Sequence, residues 1–97
     1  MLPRAESRVV ATDRQVACQV GGEAVILHLD EGVYYGLNEV GARVWQLVQE
    51  ELTVAEIVDA IVAEYGVDRA QCLGDIQELV AGLAEHKLVI VSDEAPP

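Results

Sequence analysis

The stretch VACQVGGEAVILHLDEGVYYGLN, residues 16–38, decides the fold. Three apolar runs, 16–20, 23–29 and 33–37, are separated by Gly21-Gly22 and by Asp30-Glu31-Gly32. Glycine supplies the positive φ that tight hairpin turns demand. The spacing predicts a three-stranded antiparallel meander. A three-residue second loop sets Leu29 opposite Val33, Leu27 opposite Tyr35 and Val25 opposite Leu37. Across the first turn, Cys18 then falls opposite Val25 and Val16 opposite Leu27. Register follows the apolar set, so that face is expected to be buried and Cys18 with it. Ala24, Ile26, His28, Tyr34 and Gly36 are expected on the outer face.

Beyond Asn38 the period changes from two to about 3.6. Asn38 is a cap for a helix over 39–50, with Val40, Val44, Leu47 and Val48 at helical spacing and Trp45 widening the stripe. Thr53 and Glu56 have the capping-box spacing, and Gly66 the C′ position, for a second helix. Asp68 caps a third, with Leu73, Ile76, Val80 and Leu83 as its stripe. The apolar run 88–91 is a candidate last strand. The fold class is α+β: a winged-helix-like, three-stranded antiparallel sheet followed by three helices. Residues 1–14 show no period and are expected to be a flexible arm. Residues 15–91 form the domain, and 92–97 are expected to be a disordered tail.

The strand 33–37 pairs on one side only. It has neither Pro nor Lys, the usual means of blunting an edge. Such an edge invites an added strand from a partner. Val33, Tyr34, Tyr35, Gly36 and Leu37 are therefore candidate peptide-binding residues through their backbone. On the third helix, Cys72, Asp75, Ile76 and Leu79 fall at i, i+3, i+4 and i+7, one continuous face. They are the candidate side-chain contacts, with Ile76 open between core and contact, and Asp75 a partner for a basic residue. An open edge also permits self-pairing, so a monomer and an edge-paired homodimer are both compatible with it.

Other chemistry is scarce. The chain has 97 residues, enough for one domain, and Cys18 and Cys72 are too few for a disulfide scaffold, so a cytoplasmic setting is expected. No apolar run approaches the ~20 residues of a membrane span, and no signal-peptide pattern opens the chain. Six Lys and Arg face seventeen Asp and Glu, a net charge of −11. That balance disfavours nucleic acid and anionic membranes and favours a cationic partner. A DNA-reading winged helix would need cations on the third helix, which instead carries Asp75, Glu78 and Glu85. The only serines, Ser7 and Ser92, lie outside the body, and His28 and His86 have no metal-ligand spacing. No catalytic residue, metal or cofactor is expected. A regulatory subunit that binds an enzyme surface is the remaining alternative.

The run Gly32-Val33-Tyr34-Tyr35-Gly36-Leu37-Asn38, followed by Gly41 and Trp45, resembles the G-x-Y-Y-x-L-N-x-x-G-x-x-x-W signature of PqqD-like proteins. Thr53-Val54-Ala55-Glu56-Ile57, Tyr65, Asp75-Ile76 and the Leu83…Leu88-Val89 ending continue it, so the resemblance spans 16–91. It implies a non-catalytic recognition element for the leader segment of ribosomally made, modified peptides. In that family the leader adds a strand to the third strand of the meander, and its side chains enter a cleft beside the third helix. The element then presents the precursor to a leader peptidase or other modifying enzyme. The stand-alone form is similar to those of lasso-peptide and quinone-cofactor pathways, and the lasso type is the closer of the two.

Overall fold

The computed structural model describes residues 2–93. The element order is β1 (Arg8–Ala11), β2 (Gln15–Val20), β3 (Glu23–His28), β4 (Tyr34–Leu37), α1 (Glu39–Val48), α2 (Val54–Tyr65), α3 (Arg69–Glu85) and β5 (Val89–Ser92). The α+β arrangement matches the expectation: β2, β3 and β4 form a three-stranded antiparallel sheet, and three helices follow.

Each helix begins where its capping chemistry predicts. The Asn38 side chain accepts from Gly41 N at 2.9 Å, and Asp68 accepts from Gln71 N at 2.9 Å. Thr53 and Glu56 exchange both bonds of a capping box, at 3.1 and 2.9 Å. Such side chains satisfy amides that the first helical turn leaves without partners. Gly66 closes α2 in the left-handed region, at φ 65°.

The meander differs from expectation in one respect. The β2–β3 register is as predicted, with Cys18 opposite Val25 and Val16 opposite Leu27. The β3–β4 register is displaced by one residue, with Leu27 opposite Tyr34, Ile26 opposite Tyr35 and Ala24 opposite Leu37. The cause lies in the connecting loop. His28 N donates to Val33 O at 2.8 Å and Gly32 N to His28 O at 2.9 Å. The His28 ring folds over the loop, and its Nδ1 accepts from the amides of Asp30 and Glu31 at 3.2 and 3.3 Å. A one-residue displacement inverts a strand's faces. Ala24, Ile26 and His28 are buried against the helices, while Cys18, Val16, Val25 and Leu27 are exposed, the reverse of the expected arrangement. The faces of β4 are as expected, with Leu37 buried, Tyr35 half-buried and Tyr34 exposed, but Val33 and Leu29, expected on the buried face, are exposed beside the loop.

The expected arm over 1–14 contains a strand. β1 pairs antiparallel with β5, Val9 opposite Val91, and Val9 is fully buried. Ser7 O and Ala5 O accept from the amides of Val54 and Ala55 at the start of α2. Of the expected tail over 92–97, Ser92 belongs to β5, and 94–97 lie outside the described residues. The core joins Ile26 and Leu37 of the sheet to Val44 and Val48 of α1, Ile57 and Ile61 of α2, and Ile76, Val80 and Leu83 of α3. Trp45 is buried in it too.

Candidate peptide-binding site

β4 is an edge strand, because the order is β2-β3-β4 and no described strand lies on its far side. In an antiparallel pair, hydrogen-bonded and non-hydrogen-bonded residue pairs alternate. His28 donates to Val33, so the pairs 26–35 and 24–37 are the bonded ones. The N–H and C=O groups of Tyr34 and Gly36 therefore point away from the sheet. The edge is narrower than the five-residue row expected, because the Val33 carbonyl is occupied inside the hairpin.

Beside this edge lies a cleft of about 700 Å³ between β4, α1 and α3. It brings together seven of the nine residues singled out from sequence: Tyr35, Gly36, Leu37, Cys72, Asp75, Ile76 and Leu79. Val33 and Tyr34 do not line it; Tyr34 is 72% exposed on the opposite face of the sheet. Ile76 is 3% exposed and lines the cleft, so it is core and floor at once. Val40 and Val44 of α1, Ile61 of α2, and Val67, Asp68 and Gln71 at the start of α3 complete the walls. These were not anticipated, although Val40 and Val44 stand at i and i+4 on one helix face. Gly41 has a steric role here. A Cβ on it would lie 3.2 Å from the Leu37 side chain and 3.3 Å from Asn38 Oδ1, so glycine lets α1 turn tightly off β4.

Tyr35, on the cleft wall, also reaches the C-terminal half of α3. Tyr35 stacks edge-on against His86, with ring centroids 5.2 Å apart, and its hydroxyl lies 2.8 Å from where a Cβ on Gly82 would sit. Lys87 Nζ reaches Glu31 Oε1 at 2.7 Å, which ties the β3–β4 loop to the end of α3. The Cys72 thiol is pushed above its ordinary value, first by burial and then by the negative charge of Asp75, with Arg69 opposing. Such a thiol is protonated and a weak nucleophile at neutral pH. Among the described residues no group of His, Cys, Asp and Glu is arranged to hold a metal ion.

The arrangement is an apolar trough beside an unpaired strand edge. The family model for coenzyme PQQ synthesis protein D (PqqD) matches residues 23–89, which contain β3, β4 and all three helices. The chain belongs to the PqqD family. Two solved structures share its fold. TbiB1 in complex with the TbiA(beta) leader peptide is 39% identical, over 90% of this chain and 99% of that one, with a TM-score of 0.76. Lasso peptide synthetase B1 complexed with the leader peptide is 27% identical, over 89% and 99%, with a TM-score of 0.72. A comparison with curated proteins finds no match. The PqqD match runs from Glu23 and does not include β1 or β2.

Proposed function

We propose that this protein is a non-catalytic recognition element that binds the leader segment of a ribosomally synthesised precursor peptide. The leader adds as a strand to β4 and is delivered to a leader peptidase or other modifying enzyme, in a pathway of the lasso-peptide type. The observation that carries the reading is the unpaired backbone of Tyr34 and Gly36 at the rim of an apolar cleft. The two leader-bound relatives support the ligand class. Each backbone bond contributes only ~0.5–1.5 kcal/mol net, so side chains in the cleft must supply most of the affinity. Burying one Leu or aromatic side chain there contributes roughly 1.5–3 kcal/mol.

The test is an NMR titration of the full chain with the TbiA(beta) leader peptide and with leaders encoded near its own gene. Shift changes are expected at Tyr34, Gly36 and Leu37 and along α3 from Asp68 to Leu79. Gly36→Pro removes one outward donor at an edge position where proline is tolerated. It should weaken binding up to about tenfold, the value of one backbone bond, with little change in melting temperature. Shifts confined to α2, or unchanged affinity in Gly36→Pro, would overturn the site.

A further inference from the structure

The cleft carries uncompensated negative charge. Its floor is apolar, and among the described residues the only charged side chains on its walls are Asp68 and Asp75. Every lysine and arginine among the described residues is engaged elsewhere. Arg69, one residue past the α3 cap, turns away to Asp59 of α2. Arg43 pairs with Glu64, Lys87 with Glu31, Arg14 with Asp30 and Arg4 with Asp93. Arg8 donates to the carbonyl of Glu51. Asp68 is occupied only by the Gln71 amide, which does not neutralise it. The Asp75 side chain is exposed and has neither an ion pair nor a hydrogen bond among the described residues.

The cleft also has a direction. Tyr35 packs on Gly82 and His86, in the C-terminal half of α3. From Tyr35 towards Asn38, the strand therefore runs towards the start of α3, where Asp75 and Asp68 lie. From Leu79 back to Asp68 the helix covers about 16 Å, at ~1.5 Å per residue. An extended chain spans that with about five residues. In a strand added to β4, alternate side chains point into the cleft.

We infer that the cleft selects a basic extended peptide: an apolar pair spaced i, i+2 over Leu79 and Ile76, adjoined on the Asn38 side by a lysine or arginine over Asp75 and Asp68. This inference rests on the strand-addition reading and names the ligand chemistry that reading leaves open. The charge match raises association rate and excludes acidic competitors more than it adds raw affinity.

The test is a selection of mRNA-displayed random peptides of about ten residues, twice the ~five that span the cleft. The full chain, Asp75→Asn, Asp75→Lys and Gly36→Pro serve as separate baits, each checked by circular dichroism. The wild-type bait should enrich apolar i, i+2 pairs with an adjoining Lys or Arg. Asp75→Asn should keep the pairs and lose much of the basic preference, and bind a wild-type-selected peptide about threefold to fivefold more weakly, as for an exposed ion pair. Asp75→Lys should shift the preference to Asp or Glu. Apolar pairs that depend on Gly36 but show no charge preference in any bait would overturn this inference and leave strand addition standing. Recovery of no Gly36-dependent binder would overturn both.

Discussion

Lys87 ends α3 with a φ of 60°, a left-handed conformation that lets the chain turn back towards β5. Its ammonium lowers Glu31 from its ordinary value, by a hydrogen bond first and by charge second. Glu31 in turn raises Lys87. The carboxylate's contribution to stability is present above its ordinary value of 4.5 and is lost as pH falls through its lowered folded value. The lysine's contribution is present below 10.5 and is lost as pH rises through its raised one. Glu31→Gln should therefore melt below wild type near neutral pH, with the gap closing in acid. Thermal unfolding followed by circular dichroism from about pH 7 to 3 checks this. At this scale the capping residues Asn38, Thr53, Glu56 and Asp68 were legible, because capping depends on near neighbours in sequence. His28 was not, because its part in the loop needs the ring folded over amides whose positions the spacing does not give.

α3 shows how one element divides its labour. Val80 and Leu83 face the core and are fully buried, while Leu79, one position along, faces the cleft. Leu83→Ala should cost about 2–5 kcal/mol of unfolding free energy in urea, the range for a large core truncation. Leu79→Glu should leave the helical spectrum intact and abolish leader binding, measured by fluorescence anisotropy. Equal losses of stability in the two variants would merge the faces. The helices were legible from periodicity and caps. The sheet was legible in topology but not in the faces of β3. There both sets, Val25, Leu27, Leu29 and Ala24, Ile26, His28, are apolar enough to be buried, and loop chemistry decided between them. β1 was missed because its partner, β5, lies at the other end of the chain, and four residues carry no period of their own.

For the whole molecule, two surface properties oppose each other. The inverted faces of β2 and β3 leave Val16, Val20, Val25 and Leu27 exposed beside Tyr34, with Val20 70% and Tyr34 72% accessible. Exposed apolar surface favours association. A net charge of −11 on each copy opposes it. Salt shortens the Debye length from about 10 Å at 0.1 M to about 3 Å at 1 M, so it weakens only the second effect. The weight-average mass in sedimentation should therefore rise above 10.5 kDa as NaCl increases. Leu27→Lys should suppress the rise. The candidate site was legible at this scale to a useful degree, because an unblunted edge strand and one helix face are both written in the chain. The contributions of Val40, Val44, Ile61 and Val67 were not, since they depend on how α1 and α2 settle around the trough.

The pairing of β1 with β5 brings Arg8 beside Ser92, and Arg4 lies 3.8 Å from Asp93. No residue of either strand lines the cleft. The two ends of the described chain are thus neighbours on elements that do not line the cleft, which is the geometry that insertion into a host polypeptide requires. The module can be spliced into a surface loop of a larger enzyme with its trough still facing solvent.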